Sequence, residues 1–96
     1  MSRTRYLVSY DIANPKRLRR VARVLEGYGV RLQYSVFECP LDGMRLAQIK
    51  AELHPILDHG EDQVLFVSLG PSANDASLII DALGLPYEVR SRVTIV

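Results

Sequence analysis

Residues 30–39 restrict the possible folds of this chain more strongly than any other segment. The run is strand-like throughout, with apolar and polar residues alternating until Pro40 ends it, and helical patterns lie on both sides. A βαββαβ domain needs two strands between its helices, so the run would have to fold back near residues 33–35. No Gly, Pro or Asn stands there. A hairpin is therefore expected from the order of the elements alone.

The residues before this run predict a strand and an amphipathic helix. Residues 6–10 alternate and are rich in β-formers, and Asp11 stands at the carboxyl end of this strand. Asn14 followed by Pro15 is typical of an N-cap and a first helical position, and the helical pattern continues to about Tyr28. One side of the helix is apolar. The opposite side is basic and is formed by Lys16, Arg19, Arg20 and Arg23.

The residues after the run predict a second helix, another strand and a C-terminal extension. Asp42 is an N-cap candidate for a helix to about His54. Residues 64–69 are apolar on both faces of the predicted strand, so we expect both faces to be covered. Residues 74–83 predict a short helix, and residues 87–96 predict one or two last strands.

This order of elements indicates an α+β fold, a ferredoxin-like βαββαβ sandwich with an additional C-terminal strand. The 96 residues correspond to a single domain, residues 1–96. Both helices would cover one face of the sheet. The other face would be open, and the two-sided fourth strand predicts that a second copy of the chain packs there as a homodimer.

The composition excludes several other classes of protein. With 48% hydrophobic and 24% charged residues, the chain is neither disordered nor collagen-like. A lone cysteine, Cys39, excludes an internal disulfide and a multi-cysteine zinc site, and we expect it to be buried. His54 and His59 are expected to be exposed, without a third metal ligand. The absence of a signal-peptide pattern and of a long apolar run predicts a cytoplasmic protein.

Positive charge is concentrated in the first third of the chain. Residues 1–31 hold eight Lys and Arg residues against two acids, a net charge of +6, whereas residues 32–96 carry −5. This asymmetry indicates an anionic partner, and nucleic acid is the leading candidate. The alternative is a basic helix side that faces only water.

Asp11 is the strongest candidate for a catalytic or metal-binding residue. Alternation places it on the open face of the sheet together with Leu7 and Ser9. An acid at the end of a strand, beside a basic helix, can hold Mg²⁺ against a phosphate, and two copies across a two-fold axis would pair their carboxylates. The alternative is a loop carboxylate that accepts backbone N–H groups or pairs with Arg17 or Arg31.

Other residues near this site allow two interpretations each. Arg31, Gln33, Ser35 and Phe37 would share a surface if the strand is regular. Phe37 among polar groups on an open face indicates either base stacking or a subunit contact, and we favour the subunit contact. Tyr10 either packs in the core or lies beside the metal site.

Four segments together resemble a known family. They are residues 10–12 (YDI), 14–17 (NPKR), 29–38 (GVRLQYSVFE) and 62–64 (DQV). In order and spacing they resemble the small CRISPR-associated proteins that accompany the CRISPR integrase during spacer acquisition. The match covers residues 6–69, while residues 71–96 correspond only in the length of a last helix and strand.

The resemblance implies a homodimer in which the two sheets face each other and segment 71–96 crosses to the partner's sheet. It also implies a catalytic site at which the Asp11 side chains of the two protomers bind one shared Mg²⁺. The family is described as metal-dependent endonucleases that act on single-stranded RNA or double-stranded DNA. It also serves as a scaffold that bridges integrase dimers. Nucleic acid would be bound by Lys16, Arg17, Arg19, Arg20, Arg23 and Arg31.

Three functions therefore compete. The first is a Mg²⁺-dependent endonuclease that hydrolyses phosphodiester bonds at the dimer axis. The second is a catalytically idle DNA-binding scaffold for the CRISPR integrase. The third is a small-molecule regulatory module, since ferredoxin-like dimers carry many functions. The charge of +6 in the first third of the chain argues against the third function.

Overall fold

A computed structural model describes residues 2–88, which form a four-stranded sheet with two helices on one face. The elements are β1 (Thr4–Asp11), α1 (Pro15–Glu26), β2 (Val30–Gln33), β3 (Val36–Leu41), α2 (Gly43–Leu53) and β4 (Gln63–Pro71). The strands lie in the order β2-β3-β1-β4, and every neighbouring pair is antiparallel. This arrangement confirms the predicted ferredoxin-like βαββαβ fold.

The strand-like run folds into a hairpin, as the order of elements required. Its turn lies at Tyr34 and Ser35, and contacts from outside the turn support it. The carbonyl oxygen of Tyr34 accepts hydrogen bonds from Arg31 Nη1 at 2.7 Å and from Tyr10 Oη at 3.2 Å. The prediction that Pro40 ends the strand is wrong, because β3 continues for one more residue and Pro40 itself pairs with β1.

Both helices begin at the predicted caps. The side chain of Asn14 accepts the backbone N–H groups of Lys16 and Arg17, at 2.9 and 3.1 Å. The side chain of Asp42 accepts the N–H of Arg45 at 2.8 Å. These bonds satisfy N–H groups that have no partner inside the first helical turn. Within residues 2–88, neither helix approaches the length and apolarity needed to cross a bilayer.

The hydrophobic core lies between the sheet and the two helices. Its most buried side chains come from several elements and are Val8, Tyr10, Val21, Leu25, Phe37, Cys39, Leu41, Ile49 and Leu53. Tyr10 therefore packs in the core, which settles one alternative from the sequence. Cys39 is fully buried, as expected.

The face of the sheet opposite the helices carries an exposed apolar strip on β4. Leu65 and Val67 are 48% and 45% exposed, and they pair in register with Ser9 and Leu7 of β1. The expectation that both faces of β4 are covered is thus not met within residues 2–88. The helices cover only the face that holds the core.

The C-terminal segment differs from the prediction. In place of a helix over residues 74–83, there is a single 3-10 turn, Ala76–Leu78. Leu78 in this segment is 85% exposed, so within residues 2–88 its apolar side chain packs on no surface that could stabilise a longer helix. Of the expected last strands, residues 87–88 are irregular and residues 89–96 lie outside the described residues.

Candidate metal and nucleic-acid site

The Asp11 carboxylate stands at the end of β1, on the sheet face that is free of helices. Asp11 is the last residue of the strand and pairs in register with Gln63 of β4. Its side chain is exposed, whereas Val8 and Tyr10 of the same strand are buried. The predicted placement of Asp11 on the open face is confirmed.

The proposed ion-pair partners of Asp11 are engaged elsewhere. Arg17 Nε lies 2.7 Å from Asp62 Oδ2, and Arg31 donates to the carbonyl of Tyr34 and lies 3.8 Å from a carboxylate oxygen of Glu26. Within residues 2–88 the Asp11 carboxylate itself has neither a hydrogen bond nor an ion pair. Within residues 2–88, no contact supports the interpretation of Asp11 as a paired loop carboxylate.

Asp11 is the carboxylate that one chain would offer to a metal. Among residues 2–88, no three His, Cys, Asp or Glu side chains come together as a metal cluster. The rings of His54 and His59 stack at 4.4 Å on the surface, and both are exposed as expected. Mg²⁺ retains several waters and is commonly held by one or two carboxylates. The exposed carboxylate of Asp11, which has no partner in the described part of the chain, fits that donor requirement.

The basic side of α1 is exposed, but not all of its cations are free for phosphate. Lys16, Arg19, Arg20 and Arg23 face solvent, as predicted. Arg17 instead turns toward the loop between α2 and β4, and its side chain is only 22% exposed. Of the residues predicted to bind nucleic acid, these four on α1 face solvent. Arg17 and Arg31 are instead held by contacts within the protein.

Asp62 joins the loop after Asp11 to the loop before β4. Its side chain is fully buried and accepts four hydrogen bonds. Two come from Arg17, at 2.7 and 3.2 Å, and two come from the backbone N–H groups of Ala13 and Asp58, both at 2.9 Å. Sequence reasoning missed this residue, and its only signal was its position in the segment that resembles the family. We refer to these contacts as the Asp62 staple.

Loss of the Asp62 staple is expected to destabilise the protein in a pH-dependent way. Hydrogen bonds from Arg17, then from Ala13 and Asp58, hold the pKa of Asp62 well below the ordinary carboxyl value. A lowered native pKa stabilises the fold above about pH 4, and this stabilisation is lost as the pH falls toward the native pKa. Asp62→Asn should therefore lower the melting temperature at neutral pH, and the difference should shrink in acid.

Thermal unfolding of wild type and variant across this pH range, followed by circular dichroism, tests the expectation. Asp81→Asn is the matched control, because Asp81 is exposed and, among residues 2–88, its carboxylate accepts only the adjacent N–H of Ala82. A constant difference between wild type and Asp62→Asn at all pH values would contradict the assigned role of the carboxylate charge.

The structure contradicts the prediction that Phe37 lies on the open face of the sheet. It is fully buried and pairs with Val8 on the core side of the sheet, so it does not lie on the open face. Arg31 does share its face, since the two residues pair across the hairpin and the guanidinium lies 5.0 Å from the ring centre. Ser35 is half-buried in the turn, where its carbonyl accepts the N–H of Tyr10 at 3.1 Å.

The comparisons with known proteins place this chain among the small CRISPR-associated proteins. The family profile described as CRISPR associated protein Cas2 matches residues 4–76, which contain the whole sheet and both helices. The chain belongs to this family. The resemblance stated from the sequence motifs is thus confirmed.

Three known proteins illustrate the similarity. The CRISPR-associated endoribonuclease Cas2 1 of Rhodospirillum rubrum is 44% identical over 87 residues, which cover 91% of this chain and 84% of that protein. The crystal structure of Streptococcus pyogenes Cas2 at pH 6.5 is 38% identical, with a TM-score of 0.73, and the match covers 83% of this chain and 99% of that one. A chain of a partial Cas6-RT-Cas1–Cas2 complex is 28% identical, with a TM-score of 0.56, over 66% of this chain and 77% of that one.

Proposed function

We propose that this protein is a Mg²⁺-dependent endonuclease that acts in CRISPR spacer acquisition and hydrolyses phosphodiester bonds of single-stranded RNA or double-stranded DNA. The observation that carries the proposal is the exposed Asp11 carboxylate at the end of β1, which has no hydrogen-bond or ion-pair partner among residues 2–88. The relative from Rhodospirillum rubrum is named an endoribonuclease, which supports the same reaction class for this chain.

The proposed active form is a homodimer whose open sheet faces meet. Leu65 and Val67 leave an apolar strip on the face that also presents Asp11. Covering this strip with a second copy would remove apolar surface from water and bring a second Asp11 to the same face. Segment 71–96 would cross to the partner's sheet, as the family resemblance implies.

In this dimer one Mg²⁺ would be held by the two Asp11 carboxylates. When bound, the ion supplies Lewis-acid stabilisation of the charge that develops on the phosphodiester during hydrolysis. The exposed cations of α1 would bind the neighbouring phosphates and orient the strand, because guanidinium groups donate two parallel hydrogen bonds to a phosphate. These contacts bind the backbone and read no base sequence.

A second candidate function is a DNA-binding scaffold for the CRISPR integrase that cuts nothing itself. The similarity to a chain of a partial Cas6-RT-Cas1–Cas2 complex favours it, since that chain is part of an assembly with Cas1. The basic side of α1 serves this function equally well. We therefore propose an integrase subunit as a partner under either function.

A cleavage assay distinguishes the two functions. It measures whether the purified wild type cuts labelled single-stranded RNA or double-stranded DNA. The reactions contain Mg²⁺ or EDTA and cover a range of pH values. Cleavage that requires Mg²⁺ and stops in EDTA supports the endonuclease. Binding without cleavage under every condition overturns it and leaves the scaffold.

The basic side of α1 is expected to set the salt dependence of nucleic-acid binding. Replacing Arg19, Arg20 and Arg23 together by alanine should weaken binding to duplex DNA. The slope of log affinity against log salt should fall by about 1 for each phosphate that the variant no longer neutralises. The measurement is fluorescence anisotropy at several salt concentrations. Lys50→Ala on α2 is the control that removes charge outside α1, and an unchanged slope in the triple variant would contradict the assignment.

A further inference from the structure

The turn between β2 and β3 presents an aromatic ring to solvent. Tyr34 is 78% exposed, while the other aromatic residue of the hairpin, Phe37, is fully buried. A single exposed aromatic residue is ordinary on a protein surface. Tyr34 differs in that its backbone is fixed and its ring lies at the same end of the sheet as Asp11.

Two side chains hold the turn that carries Tyr34. Arg31 Nη1 and Tyr10 Oη both donate to the carbonyl oxygen of Tyr34, at 2.7 and 3.2 Å. The backbone N–H of Tyr10 donates to the carbonyl of the next residue, Ser35, at 3.1 Å. The Arg31 guanidinium is itself positioned by its contact with the Phe37 ring. Because the turn is already ordered, little backbone entropy would be lost when a ligand binds to it.

The same contacts place the turn at the end of the sheet that carries the candidate metal site. Tyr10, which bonds to both turn carbonyls, directly precedes Asp11 in β1. Arg31 brings a positive charge to the same turn, on the face of the sheet that holds Phe37 and not on the face of Asp11. A nucleic-acid strand bound at this end of the sheet could therefore place a base against the exposed Tyr34 ring.

We propose that Tyr34 is a binding residue for an unpaired nucleobase, which stacks on its ring at the end of the sheet that carries the Asp11 site. The inference rests on the proposed function, since it concerns the substrate of that same site. An exposed aromatic ring stacks on any base whose face is accessible. The bases of a duplex are stacked on each other, so Tyr34 favours single-stranded over double-stranded nucleic acid.

The test compares Tyr34→Ala, Tyr34→Phe and wild type in binding a single-stranded RNA of about 12 nucleotides and its duplex, by fluorescence anisotropy in Mg²⁺. Tyr34→Ala should bind the single strand about 5- to 150-fold more weakly, the usual effect of removing one stacking platform. Tyr34→Phe keeps the ring and should stay within about twofold of wild type. Met44→Ala, which removes another exposed apolar side chain, controls for general surface effects.

A second readout reports stacking directly. The fluorescent base 2-aminopurine in the single strand should be quenched by wild type and Tyr34→Phe, and less by Tyr34→Ala. Unchanged single-strand binding of Tyr34→Ala, or an equal loss for the duplex, overturns the inference. A change in the sedimentation mass of Tyr34→Ala also overturns it, because the ring would then belong to a protein interface. Wild type that cleaves while Tyr34→Ala binds normally refutes only this inference and leaves the endonuclease intact.

Discussion

Asp11→Asn is expected to abolish Mg²⁺-dependent cleavage while leaving the fold and nucleic-acid binding unchanged. The substitution keeps the size of the side chain and removes the charge that would hold the metal. We expect a loss of about 100-fold or more, as is usual when one electrostatic stabiliser is removed from an active site. Unfolding should be little affected, since the Asp11 side chain is exposed and has no hydrogen-bond or ion-pair partner within residues 2–88.

The measurement is the rate of cleavage of labelled RNA and DNA, run beside anisotropy with the same oligonucleotides. Asp81→Asn is the matched control, because it removes an exposed carboxylate from another part of the surface. Equal cleavage by wild type and Asp11→Asn would assign the activity to a contaminating nuclease or to another site. Binding that falls together with cleavage would indicate that Asp11 supports substrate affinity and not the reaction itself.

Gly29→Ala is expected to cause the largest loss of stability of any single change considered for this fold. Gly29 is buried where the chain leaves α1 and passes over β3. A Cβ atom there would lie 2.2 Å from the carbonyl oxygen of Glu38 and 2.7 Å from Cys39 Sγ. Because the carbonyl belongs to the backbone of the sheet, it cannot move aside as a flexible side chain would. We expect the free energy of unfolding to fall by about 3 kcal/mol.

Urea denaturation at a fixed protein concentration measures this loss, since the stability of the proposed dimer would depend on concentration. Gly43→Ala is the matched control, because a Cβ at the start of α2 meets no atom within 4 Å. Alanine there should leave the stability unchanged or raise it slightly, as alanine favours a helix more than glycine does. Similar behaviour of both variants would show that the approach of the chain to β3 is looser than the structure indicates.

Much of the fold follows from local patterns. The caps Asn14 and Asp42 and the amphipathic pattern of α1 predicted both helices close to their observed limits. Alternation in β1 placed Asp11 on the open face. These features depend on residues a few positions apart, which is why reasoning on the chain alone recovers them.

The face of Phe37 could not be predicted in the same way. Phe37 and Arg31 do lie on one face, but they share it because they pair across the hairpin and not because one regular strand carries both. Which side of the sheet this face occupies depends on pairing with Val8, which is distant in the sequence. Since neighbouring positions in a strand point to opposite faces, the pairing of β3 with β1 decides burial for the whole strand.

The C-terminal segment shows that helix propensity alone does not decide whether a helix forms. Residues 74–83 contain enough helix formers for a short helix, but only the 3-10 turn Ala76–Leu78 forms. A short helix in water needs an apolar face that packs against something, and within residues 2–88 the side chain of Leu78 has no such surface.

The sequence by itself determined the strands, the helix caps, the basic side of α1 and the position of Asp11 at the end of β1. All of these depend on the chemistry of neighbouring residues. Only the tertiary structure decided that Arg17 is held by Asp62, that Phe37 lies in the core and that Tyr34 is exposed on a fixed turn. Each of these outcomes depends on where other parts of the folded chain place their donors, acceptors and apolar surface, and no pattern of nearby residues encodes that.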